Sequence, residues 1–139
     1  MNAETIFSTV NLTAVIGWSL LVVAPRWNWT LRIVISGAIP LLLSVAYLTL
    51  IVLFFDKADG GFDSLESVMK LFTNQWMVLV GWIHYLAFDL FVGSWETKDA
   101  QARGVSHWLV VPCLILTLFF GPVGFFLYNV IRLFYAKSD

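Results

Sequence analysis

The chain has 139 residues, one domain's length, of which 60% are hydrophobic and only 12% charged, with a mean hydropathy of +0.84. Soluble domains carry about 25% charged residues, so a water-soluble globule is excluded and a membrane is the natural solvent. A net charge of −1 gives no basic footprint for nucleic acid, and the single cysteine, Cys113, excludes an internal disulfide and reads as a small packing residue.

In chain order, the start through Thr5 has no basic stretch, and no small-residue cleavage site follows the first apolar run. That run is therefore expected to stay as a membrane helix rather than be removed as a signal. It covers 5–24 and contains Asn11, Thr13 and Trp18. About 20 residues at 1.5 Å each cross a hydrocarbon core of about 30 Å. Pro25-Arg26-Trp27-Asn28-Trp29-Thr30 stops it, with the tryptophan rings at headgroup depth. A second span is expected over 31–55, kinked within by Gly37 and Pro40 and carrying Tyr47. Residues 56–63 form a glycine-containing turn. Asp63 and Glu66 resemble a capping box, so a helix should start near Ser64 and run to Trp95, with 64–71 interfacial and 72–95 the third span. Residues 96–106 read as a polar loop, the longest irregular segment. The fourth span is expected over 107–136, bent at Gly121-Pro122-Val123-Gly124, where Pro122 frees the Leu118 carbonyl. The fold class expected is therefore all-α, a single domain forming a polytopic bundle of four transmembrane helices.

Orientation is close to balanced. One side would hold Arg26, Arg32, Lys98 and Arg103, the other Lys57, Lys70, Arg132 and Lys137. Glu4, Asp56, Asp59, Asp63, Glu66 and Asp139, all on the second side, tip the reading towards both termini outside the cytoplasm of a bacterial inner membrane.

The third span carries the chemistry. An aspartate inside a bilayer costs about 2.5–3.5 kcal/mol on insertion scales, so Asp89 calls for a use. On a helix Asp89 shares a face with Trp82, Tyr85 and Glu96, and Tyr85 is its i,i+4 neighbour. His84 lies about 140° round the helix from Asp89, above Gly81 and Met77. Gly81 lets a second helix or a flat ligand approach closely. By depth, the carbonyl freed by Pro122 could accept from the His84 imidazole. Both side chains are expected to face other helices, near Tyr85 and some of Thr13, Trp18, Ser36, Ser44 and Thr117. Two readings stand for each residue: an interhelical staple, or a group that serves a ligand. With two histidines and no His-Glu-x-x-His or Cys-x-x-Cys spacing, no metal and no cofactor is expected. Haem would need His107, at a different depth, as its second ligand.

The stretch Gly81-Trp82-Ile83-His84-Tyr85-Leu86-Ala87-Phe88-Asp89-Leu90-Phe91-Val92-Gly93 resembles the signature of the abscisic-acid-deficient-four-like family of small membrane proteins. Trp18 with Pro25-Arg26-Trp27, Pro40 with Tyr47, Gly60-Gly61-Phe62, and Gly121-Pro122-Val123-Gly124 with Tyr128 and Arg132 are similar to further family landmarks in order, so the likeness covers almost the whole chain. Plant members are linked to neoxanthin formation, in which an epoxy-xanthophyll becomes an allenic one. The resemblance thus implies a carotenoid-like ligand and an isomerase. Opening an epoxide needs an acid at its oxygen, and forming an allene needs a base at the adjacent carbon. On chemical grounds Asp89 is the acid and neutral His84 the base, with Trp82, Tyr85, Phe88 and Trp18 lining the ligand. The rival class is a non-catalytic pigment- or lipid-binding subunit, or an assembly partner in a homo-oligomer or larger membrane complex. Four spans with no internal repeat argue against a transporter.

Overall fold

The computed structural model describes residues 2–135, and these are all-helical, without a strand. Four helices are long and apolar enough to cross a membrane, which fits an integral membrane protein.

Helix α1 (Ala3–Val23) starts on Asn2, whose side chain accepts the Thr5 N–H at 2.8 Å. Beyond Pro25 the chain turns through Asn28–Thr30 and a wide π-type turn, Leu31–Ile35. The buried Thr30 hydroxyl ties this corner by donating to the Ala24 carbonyl at 2.7 Å. Helix α2 (Ala38–Phe54) begins only after Gly37, which takes a left-handed φ of +87°. The second span is thus broken at Gly37, and Pro40 does not kink it. Pro40 sits in the first turn of α2, where the backbone N–H has no helical partner to lose.

The turn at 58–64 folds onto the short helix α3 (Leu65–Leu71), where a Cβ on Gly60 would lie 2.6 Å from the Leu71 nitrogen. The cap of α3 is Ser64, whose hydroxyl accepts the Ser67 N–H at 3.1 Å, rather than the Asp63–Glu66 pair. The expected continuous run over 64–95 is also interrupted. Asn74 caps a new helix, accepting the Trp76 N–H at 2.9 Å, and α4 (Gln75–Arg103) starts there.

Helix α4 is the axis of the bundle, packing against α1, α2 and α5 (His107–Arg132). It does not stop at Trp95. The expected polar loop at 96–106 is mostly the last two turns of α4, and only 104–106 are non-helical. Its charges are held by the fold: Glu96 is fully buried, and Asp99 pairs with Arg103 one turn on at 2.8 Å. Gly104, with φ +67°, ends the helix.

Helix α5 does more than bend. Phe120 leaves helical geometry (φ −141°, ψ 48°), and the two halves of α5 lie side by side. A Cβ on Gly124 would run into the backbone of Thr117 and the carbonyl of Cys113, seven and eleven residues earlier. In a straight helix seven residues span about 10.5 Å. The contacts with α4 describe the same path. On the outward half Leu114 meets Gly93 and Leu118 meets Tyr85; on the returning half Gly121 meets Asp89, Tyr128 meets Asp99 and Tyr135 meets Arg103. Tyr135 therefore ends beside Arg103, whereas Asn2 and Glu4 lie near Gln75 at the opposite end of α4. Glu4 and Arg132, expected on one side of the membrane, are at opposite ends of the bundle. Ala136, Lys137 and Asp139, which entered the expected fourth span and charge count, lie outside the described residues.

This packing has a direct test. Gly124→Leu should cost about 3 kcal/mol or more, because the obstruction is backbone that cannot move aside. Gly104→Ala, at a position open to space, should cost only the left-handed backbone term, about 1–2 kcal/mol. Thermal denaturation in detergent measures both; equal losses would mean that the two halves of α5 are not in contact.

Candidate functional site

Two apolar pockets, of about 280 and 270 Å³, lie one after the other along the face between α2 and α4, which are antiparallel, with the His84 and Phe88 rings 4.8 Å apart where they adjoin; together they make up a lateral groove. At one end Gly37, Pro40, Leu41 and Ser44 face Ala87, Phe88 and Phe91. At the other, Tyr47, Ile51 and Phe55 face His84, Gly81, Val80 and Met77, and Phe62, Leu71 and Phe72 close the end of a cavity of about 270 Å³. The helix periodicity of α4 puts Gly81, His84 and Phe88 on this face together. The floor is mostly apolar, and its polar side chains are His84, Tyr47 and Ser44. The imidazole lies 4.8 Å from the Phe88 ring and 5.8 Å from the Tyr47 ring. His84 is exposed along the groove rather than enclosed between helices. A Cβ on Gly81 would sit 2.7 Å from Phe72, so the absence of a side chain there is what lets the Phe72 ring close this end of the cavity.

Asp89 lies elsewhere, on the face of α4 that meets α5. Its carboxylate packs on Gly121, where a Cβ would be 2.6 Å from Oδ1. Oδ2 is buried and has no hydrogen-bond partner among the described residues. One turn back, the Tyr85 hydroxyl donates to the Leu118 carbonyl, the group that Pro122 leaves without its helical partner. The sequence reading had offered that carbonyl to His84; Tyr85 takes it because His84 points to the opposite face, towards α2. Two turns beyond Asp89 on α4, the Thr117 hydroxyl donates to the carboxylate of Glu96 at 3.0 Å.

The structure thus separates the two residues read as an acid–base pair. Of the four expected lining residues, Phe88 joins His84 in the groove. Tyr85 serves α5. Trp82 donates to Asn11 on α1 at 2.8 Å and packs 5.9 Å from Phe7 in a different, outward cleft. Trp18 is 4% exposed, wedged against Gly93, and lines neither face of the groove. Its indole N–H has no partner among the described residues. Phe62 and Phe72 were not among the expected lining residues, and Glu96, expected on the Asp89 face but at the start of a polar loop, is fully buried within α4. For Phe62 and Phe72 the available signal was the Gly60-Gly61 turn, which returns the chain onto the end of α2. Among the described residues no cluster of three His, Cys, Asp or Glu side chains could hold a metal.

Replacing Glu96 tests whether its burial is structural. Glu96→Gln keeps an acceptor for Thr117 and should change stability by less than about 1 kcal/mol, near the mean for interhelical bonds in membranes. Glu96→Ala, which also opens a cavity, should cost about 2 kcal/mol or more. Denaturation of the two variants side by side distinguishes them.

A family model described as ABA DEFICIENT 4-like matches residues 5–128. No curated protein and no solved structure matches the chain.

Proposed function

The chain belongs to the ABA DEFICIENT 4-like family, and from that premise we propose that it holds a carotenoid-like lipid in the groove between α2 and α4. The observation that carries this reading is the groove itself. It follows the 17 residues of α2, about 25 Å at 1.5 Å per residue, and it is lined by aromatic and aliphatic side chains. A rigid polyene is a rod of comparable length that loses little freedom on docking, so apolar contact converts efficiently into affinity. His84, midway along, supplies the polar contact for an oxygen on the ligand. Phe62, stacked 5.7 Å from Phe55, closes the far end.

The isomerase reading asks for an acid and a base on one ligand. His84 opens on the groove and Asp89 on the hairpin side of α4, so a rigid ligand in the groove meets only the histidine. Holding the pigment is the reading the geometry supports best. What favours catalysis is Asp89 itself, whose buried Oδ2 has no partner.

Expression in carotenoid-producing cells separates the two readings. The expected result is unaltered pigment co-purifying with the protein. Gly81→Leu fills the groove and should remove at least nine-tenths of the pigment. His84→Ala removes one hydrogen bond of about 0.5–1.5 kcal/mol and should weaken retention about three- to tenfold. Asp89→Asn should retain pigment fully. A new membrane pigment made by the wild type and lost in Asp89→Asn would establish the isomerase instead. Absence of any bound or converted pigment would remove both and leave an assembly partner.

We also infer an orientation. The reversal in α5 carries Arg132 to the end of the bundle that holds Arg26, Arg32, Lys98 and Arg103, leaving Lys57 and Lys70 opposite. The balance of the linear count is gone, and the positive-inside rule puts the Arg103 end in the cytoplasm and Asn2 outside, in a bacterial inner membrane. In a Cys113→Ala background, a membrane-impermeant maleimide should label Asp59→Cys in intact spheroplasts and Phe134→Cys only after permeabilisation. Labelling of both from the same side would contradict the orientation and the reversal alike.

A further inference from the structure

We propose that the groove between the last two turns of α4 and the returning half of α5 binds the phosphate headgroup of an anionic phospholipid. This site is independent of the pigment groove and lies at the far end of the bundle. It is a cleft of about 490 Å³ lined by Arg103, Phe126, Asn129, Arg132, Leu133 and Tyr135.

Its charge is assembled by the fold. Arg103 and Arg132 are far apart in the chain, yet both reach Asp99, at 2.8 and 3.2 Å. Two guanidinium groups share one carboxylate, so among the described residues one positive charge is left over in the cleft. Tyr128 also donates to Asp99, at 2.7 Å, which holds the acid in place without adding charge. The guanidinium of Arg132 lies 5.0 Å from the centre of the Trp95 ring, and Arg103 donates to the Tyr135 carbonyl at 3.2 Å. Both forks are therefore held before any ligand arrives, which lowers the ordering cost of binding an anion. Planar guanidinium groups match phosphate oxygens in pairs.

The surroundings select a lipid over free phosphate. Phe126 is 70% exposed, and Leu133 and Phe134 are each 81% exposed beside the arginines. A charged cleft with an apolar rim at the end of membrane helices fits a headgroup and the start of its acyl chains. It also lies on the side where Arg26, Arg32 and Lys98 add to the positive field.

The test uses the full chain purified in detergent. Binding is read by native mass spectrometry and by melting temperature with dioleoylphosphatidylglycerol, dioleoylphosphatidylcholine or inorganic phosphate. Phosphatidylglycerol should remain bound and raise the melting temperature; the other two should do neither. Arg132→Gln should abolish retention, but it also loosens the Asp99 staple. Asn129→Asp is the sharper variant. The Asn129 Oδ1 already accepts from Arg132 at 3.3 Å, so an aspartate keeps that contact while cancelling the surplus charge; it gives up only the amide donation to the Phe125 carbonyl at 2.8 Å, a bond worth about 0.5–1.5 kcal/mol, so the protein stays folded with a small fall in lipid-free melting temperature. It should weaken phosphatidylglycerol binding about fivefold or more, the effect of about one charge at a membrane surface. Equal retention of phosphatidylcholine, stabilisation by phosphate alone, or unchanged binding by a folded Asn129→Asp would each overturn the proposal.

Discussion

In hydrocarbon, helices gain nothing by hiding apolar surface from one another, so their association depends on how closely their backbones can approach. In this bundle that approach is set at four glycines. Gly17 on α1 receives Leu90 of α4, Gly93 on α4 receives the Trp18 ring from α1, Gly121 receives the Asp89 side chain, and Gly124 lets the two halves of α5 touch. A methyl group at any of them meets an occupied position. At Gly124 the occupant is backbone, so the reversal in α5 depends on that residue more than on the bulk of apolar packing around it. What the reversal builds follows from it, including the Asp99 cluster and the cleft beside it.

A reversal inside a membrane leaves polar backbone atoms in lipid, and each unsatisfied one costs several kcal/mol. The fold answers this with the polar side chains of α4. Tyr85 takes the Leu118 carbonyl, and Glu96 accepts the side-chain hydroxyl of Thr117 near the end of the outward half. Polar residues that looked like a catalytic array therefore divide by face. The face towards α5 supports a broken helix. The face towards α2 carries His84 and Phe88, with the His84 ring 5.8 Å from that of Tyr47 on α2.

Much of this was legible in the sequence. The periodicity of 81–95 placed Trp82, Tyr85 and Asp89 together and His84 about 140° away, which is the division the structure displays. The apolar runs marked the four long helices, and Gly121-Pro122 marked the break in the last. The size of the break was not legible. A proline removes one hydrogen bond and permits a bend, but the angle is decided by what the second half finds to pack against, here Trp95, Asp99 and Arg103. The same missing partners hid the end of α4. Glu96, Asp99 and Arg103 read as loop because isolated charges belong in water, whereas each is engaged by a residue of α5 or of the chain just beyond it. The linear charge count was balanced for the same reason, since Arg132 had been assigned to the wrong end.

The reversal also gives the molecule an uneven cross-section. Each half of α5 has about a dozen residues and reaches about 20 Å, short of a hydrocarbon core of about 30 Å. Alongside 91–103 of α4 lie α1, the corner at 28–36 and both halves of α5; alongside 75–88 lie α1, α2 and the short α3. Such a shape is a wedge, occupying more area in one leaflet than in the other. In a flat bilayer the lipids beyond the hairpin tip must splay to fill the space under Phe119 and Phe120. Positions where the bilayer already curves towards the narrow end relieve that strain, so lateral distribution in the membrane becomes a property of the fold.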